Sequence, residues 1–193
     1  RPEALAAMQW RPAWTAVVLG VLLSGNAVAA DGLRVVAVQP RLANGLLLLG
    51  NLDLSLPPKV EEALNNGIPL EFTVDVRLYR RRPLVWDPKA GAWTLRRELR
   101  FHALSGQYLV TGHPALPQSR ESFNTLPEAL VQAGALDEIN LSVAEPIVPG
   151  AEYPAAVRAR LDIEALPHLL RPRAYTSRAW DLDSGWTTWQ VQR

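Results

Sequence analysis

The side chains that could carry chemistry are few and poorly spaced for it. His102, His113 and His168 are the only histidines, and there is no cysteine. A thiolate nucleophile is therefore excluded, and no serine sits in a glycine-flanked elbow. His102 and His113 stand eleven residues apart, not the four that would put two imidazoles on one helical face for zinc. Asp181-Leu182-Asp183-Ser184-Gly185 lacks the third ligand and the distal glutamate of a calcium loop, so it reads as a turn before the last strand. The expectation is a chain with no catalytic set, no metal and no cofactor.

Positive charge is more informative. Arg77, Arg80, Arg81, Arg82, Arg96, Arg97 and Arg100 fall in two neighbouring stretches, with Trp86 and Trp93 between them and only Glu71, Asp75, Asp87 and Glu98 nearby. Guanidinium groups bind carboxylates and phosphates bidentately, and indole rings offer stacking faces. Arg80, Arg81, Arg82, Trp86, Arg96, Arg97 and Arg100 are the candidate contact for an inner-membrane protein or an anionic lipid surface. The alternative is a charge belt that protects a sheet edge. Trp180, Trp186 and Trp189 offer a second candidate, stacking on a sugar or other small ligand, against the commoner use of tryptophan as core.

The elements that must position these residues are strands. Leu52, Leu54 and Leu56 alternate with polar neighbours, as do Leu70, Phe72, Val74, Val76 and Leu78, and again Val157, Ala159, Leu161 and Ile163. A period of two marks strands with one buried and one wet face. Trp86 to Gly91 reads as the turn of a long hairpin, residues 69–83 with 92–104. That pairing sets Leu78 opposite Leu99, Val76 opposite Phe101, Tyr79 opposite Glu98 and Asp75 opposite His102, and gathers the arginines at one end. Further strands are expected near 33–39, 106–111, 139–145, 172–177 and 185–191, with 112–122 as a mobile loop. Two short helices interrupt them. One starts at Pro57-Pro58 and stops at Gly67; the other follows the capping box Thr125-Leu126-Pro127-Glu128 and ends at Gly134. The predicted fold is mostly β, an antiparallel β-sandwich, immunoglobulin-like in general architecture, with a β-barrel as the alternative.

Met8 to Asp31 has the order of a secretory leader: Arg11, an apolar run from Ala13 to Leu23, and the small residues Asn26 to Ala30. The run is short for a membrane span. A cleaved signal peptide and a periplasmic location are expected, the alternative being an uncleaved leader that anchors the chain in the inner membrane. Arg1 to Ala7 read as sequence upstream of a start at Met8. The division is thus 1–30 as upstream residues and leader, and 31–193 as one sandwich domain. Removing residues 1–30 takes Arg1, Arg11 and Glu3 from 20 basic and 19 acidic residues and leaves 18 of each. That balance argues against a nucleic-acid binder. The missing cysteine excludes disulfides and a lipid-modified cysteine.

Several phrases in order resemble one family: Glu62 to Leu70, Leu99 to Tyr108, Phe123 to Leu130, Leu161 to Pro167, and Trp180 to Trp189. Together they resemble exported proteobacterial proteins of domain-of-unknown-function family 4390. The resemblance implies export and, through neighbouring genes for a membrane sensor histidine kinase and a ribosomal RNA methyltransferase, a link to envelope sensing. It carries over no catalytic residue. The function expected is a non-enzymatic binding or accessory module; a small-ligand or glycan- and lipid-binding β domain is the alternative, and a hydrolase ranks behind both.

Overall fold

The structure is a computed structural model and describes residues 32–42, 45–82, 88–112, 120–136, 139–144 and 146–191. The leader, Trp86, His113 and residues 113–119 lie outside the described residues. Among the described residues no helix is long and apolar enough to cross a membrane.

Among the described residues nine strands form two antiparallel sheets. Strands β1 (Leu33–Leu42), β2 (Leu46–Leu54) and β7 (Ile139–Leu141) make a three-stranded sheet in the order β1-β2-β7. The larger sheet runs β6-β5-β4-β3-β8-β9. Its members are β3 (Leu70–Tyr79), β4 (Lys89–His102), β5 (Gln107–Thr111), β6 (Arg120–Phe123), β8 (Pro154–Leu161) and β9 (Thr187–Gln190). The alternation in the sequence does set the faces. Leu70, Phe72, Val74, Val76 and Leu78 of β3 are buried, as are Leu95 and Leu99 of β4 and Val157, Ala159 and Leu161 of β8. They meet Leu46, Leu48, Leu52 and Leu54 of β2 in one continuous core. Burying this apolar surface is the main force holding the two layers together.

Helix α1 (Pro58–Asn65) opens on Pro58, where no amide is needed, and buries Val60, Ala63 and Leu64. It stops as expected at Gly67, whose φ of 84° lets its amide reach Leu64 O at 2.8 Å while Ile68 N reaches Ala63 O at 3.1 Å. Helix α2 (Leu126–Gly134) starts after Thr125, but no side-chain cap bond forms. Pro127 in the first turn removes one of the amides that a capping hydroxyl would accept from.

Five expectations are corrected. The hairpin pairs Leu78 with Gly91, Val76 with Trp93 and Leu70 with Leu99, a register eight residues from the expected one. Tyr79 therefore faces Lys89, not Glu98, and Asp75 faces Thr94, not His102. Because eight is even, every side chain keeps its face; only its neighbours change. Gly91 is a strand residue, not a turn residue: a Cβ there would stand 2.1 Å from the Trp93 ring, which lies across it. Residues 171–176 form a third short helix, α3 (Arg171–Thr176), with Pro172 in its first turn, where a strand was expected. Residues 120–122, expected in a loop, belong to edge strand β6, and the strand expected at 139–145 ends at Leu141.

Candidate partner-binding surface

The observed register splits the arginine cluster. Arg96 lies opposite Thr73 and Arg97 opposite Phe72, which puts them roughly 25 Å along β3 from Arg80 at ~3.3 Å per residue. Arg96 pairs with Glu71 at 2.9 Å and Arg100 with Glu98 at 2.8 Å. Glu71 and Glu98 face each other directly across the strands, a repulsive juxtaposition that the two guanidinium groups offset. Arg97 shares the inward face with Phe72 and Leu99. Its Nη1 donates to Gln132 O at 2.8 Å and its Nη2 to Ala135 O at 2.7 Å, clasping the carbonyl end of α2.

The outer face of the large sheet carries a chain of ion pairs that the hairpin reading missed. Asp75 accepts from Thr94 Oγ1 at 2.7 Å and pairs with Arg160 at 3.2 Å. Arg158 Nε donates to Asp183 Oδ1 at 2.8 Å, and its Nη2 to Oδ2. The Arg77 guanidinium lies 4.0 Å from the centre of the Trp186 ring. Guanidinium stacking is thus present, but on Trp186. Trp93 turns inward and donates from Nε1 to Ser142 O at 3.2 Å. Trp180 is buried and Trp189 half-buried in the core, so the three C-terminal tryptophans do not make one stacking platform. The signal for Arg158 and Arg160 was their place on the polar side of the 157–163 alternation.

The hydrogen bond from Arg158 holds the Asp183 carboxyl below its ordinary range, and Asp183 in turn raises Arg158. A carboxyl whose folded pKa is depressed stabilises the fold above its unfolded pKa and loses that contribution as pH falls through the folded value. Asp183→Asn is therefore expected to cost about 1 kcal/mol at pH 7, as for an exposed bidentate pair. The difference from the parent should shrink towards zero as pH falls below the carboxylate range, read by urea unfolding at both pH values. Asp183 Oδ1 also accepts from Gly185 N at 2.9 Å, but Asp183 bridges to Arg160 and residues 182–184 already run along β8, so the segment expected as a turn is a local kink in the chain leading into β9.

Arg80, Arg81 and Arg82 follow β3 directly and stay together at the other end of the sandwich. Arg80 N donates to Pro88 O at 3.1 Å. Arg81 is tied to Glu152 twice, backbone N to O at 2.9 Å and Nη1 to Oε2 at 3.1 Å. A groove of about 550 Å³ opens there, lined by Leu42 at the end of β1, Arg81, Gly150, Tyr153 before β8, and Gln190 at the end of β9. Arg41 and Lys89, both strand-end residues, join this end. His102 Nδ1 lies 3.0 Å from Ser105 Oγ in the β4–β5 turn, and His168 is exposed. Among the described residues no group of histidines and carboxylates could hold a metal.

Fold and surface define a two-sheet antiparallel sandwich with an ion-paired outer face and one basic end. The chain belongs to the family described as a domain of unknown function (DUF4390), whose family model matches residues 30–190. Neither the curated proteins nor the solved structures provide a match.

Proposed function

We propose that this is an exported, non-enzymatic binding or accessory module that associates with the bacterial envelope membrane through its basic end. On the gene association that the resemblance implies, it works beside a membrane sensor kinase. The observation that carries the reading is the uneven charge of a chain whose residues 31–193 balance overall. Arg41, Arg80, Arg81, Arg82 and Lys89 share one end of the sandwich; Glu152 is the described carboxylate there, and with Asp87 and Glu145, which adjoin this end in the sequence, the cations remain in excess. Clustered cations steer and hold acidic partners, and they do so without a catalytic group. The arginines of the hairpin's other end are spent on Glu71, Glu98 and α2. Co-sedimentation with envelope membranes tests the reading. Reversing Arg80, Arg81 and Arg82 to Glu should lower the membrane-bound fraction about tenfold or more, while reversing Arg96 and Arg100 should leave it unchanged. Equal binding by all three proteins would overturn it.

A further inference from the structure

We infer that the basic end docks on an anionic bilayer surface, with the loop Pro146–Gly150 as the apolar tip that enters the interface. This deepens the membrane-association reading and rests on it. Strand pairing fixes the geometry. Tyr79 faces Lys89 at one end of the larger sheet, and Leu42, next to Arg41, lines a groove with Arg81, so Arg80, Lys89 and Arg41 belong to the same end of the molecule. The groove that joins Leu42, Arg81, Gly150 and Gln190 shows that the two sheets end together there.

At this end, between Glu145 and Glu152, lies a segment with no charged residue, Pro146-Ile147-Val148-Pro149-Gly150, whose Gly150 lines the groove with Arg81. Val148 is 42% exposed, whereas Ile147 packs back on the core. The tip is held in shape. Val148 N donates to the Tyr153 hydroxyl at 3.0 Å, Ala151 N donates to Val148 O at 3.3 Å, and two prolines restrict the backbone. A fixed apolar tip at the same end of the molecule as long cationic side chains suits the boundary between headgroups and acyl chains. The tip takes the apolar layer, and the arginines take the phosphates while their stems remain in the interface. An acidic protein would need the cations but not the tip, which is why the bilayer is favoured. The opposite end, with α1, α3 and the β4–β5 turn, also exposes apolar side chains, Leu104 at 95% and Leu169 at 91%. There Lys59, Arg171 and Arg173 are interspersed with Glu61, Glu62, Asp162 and Glu164, so it lacks the cationic excess.

The absence of cysteine makes a site-specific test direct. The full chain carrying Val148→Cys, or Leu104→Cys as its counterpart, is labelled with an environment-sensitive nitrobenzoxadiazole and mixed with vesicles of phosphatidylglycerol and phosphatidylethanolamine, or of phosphatidylcholine alone. The expected result is a fluorescence rise at position 148 and not at 104, with the anionic vesicles only. Reversal of Arg80, Arg81 and Arg82 to Glu should weaken that binding by about a hundredfold or more. A rise at 104, equal rises at both positions, or a rise with phosphatidylcholine would overturn the inference. If position 148 stays silent while envelope membranes still bind through Arg80–Arg82, the partner is an acidic protein and only the bilayer inference falls. If neither binds, both readings fall.

Discussion

Replacing Gly134 by alanine is expected to destabilise the protein by about 2–3 kcal/mol, although alanine is the better helix former by about 1 kcal/mol. Gly134 is the last residue of α2 and is buried. A Cβ there would stand 2.3 Å from Leu52 O and 3.5 Å from Leu52 Cβ. Neither side can yield cheaply. Ala135 bridges to Asn51 and Leu136 N donates to Gly50 O at 2.8 Å, so the chain leaving α2 is bonded to β2 on the far side of the contact. Leu52 is itself buried in the core. Glycine is therefore required for close approach of helix and strand, not for a left-handed turn. Urea unfolding of Gly134→Ala beside Val131→Ala, an exposed site on the same helix, checks this. Val131→Ala should stay within about 0.5 kcal/mol of the parent. A neutral or stabilised Gly134→Ala would mean that α2 does not lie against β2 this closely.

The sequence displayed Gly134 as a helix stop, and the stop is where it was expected. The reason for the glycine was not legible, because it lies in a strand more than eighty positions away. The same division runs through the fold. Alternation is a local property, so the buried faces of β3, β4 and β8 could be read directly. Register is set where the chain reverses, and here β3 ends at Tyr79 and β4 begins at Lys89. Placing the turn at 86–91 moved its centre by four residues and the partners by eight. The error left both faces of the hairpin plausible, since apolar still met apolar and polar still met polar. It was costly for the candidate site: it brought Arg80–Arg82 beside Arg96 and Arg97, put His102 opposite Asp75, and hid the pairing of Asp75 with Arg160 from a strand eighty residues on. For α3, the six residues from 171 offer too short a pattern to separate a strand from one and a half helical turns. Pro172, which suits a first helical turn, was the signal available.

Arg97→Ala is expected to cost about 3 kcal/mol, the larger of the two losses, and to act through α2 rather than through any partner. The last carbonyls of a helix lack the usual amides four residues on, Gln132 O accepting instead from Ala135 N at 3.2 Å, and they sit at the negative end of the helix dipole. Here Arg97 supplies two charged donors, at 2.8 Å to Gln132 O and 2.7 Å to Ala135 O. Hydrogen bonds from a charged group contribute roughly 1.5–3 kcal/mol each, and the loss is greatest where the abandoned acceptors are shielded from water. Lysine keeps the charge but not the planar fork that reaches two carbonyls together, so Arg97→Lys should recover about half of the loss. Two measurements separate this role from a surface one. Amide exchange in α2 should accelerate in Arg97→Ala more than in β8, which β3 separates from the strand of Arg97. Membrane association per folded molecule should be unchanged, in contrast to reversal of Arg80–Arg82. Undiminished protection of α2 would show that the clasp does not hold the helix end. Because strand β4 turns Arg97 inward and leaves Arg96 and Arg100 outward, adjacent arginines that look alike in the sequence have opposite work. One closes the core layer, and the others neutralise the carboxylates of the outer face.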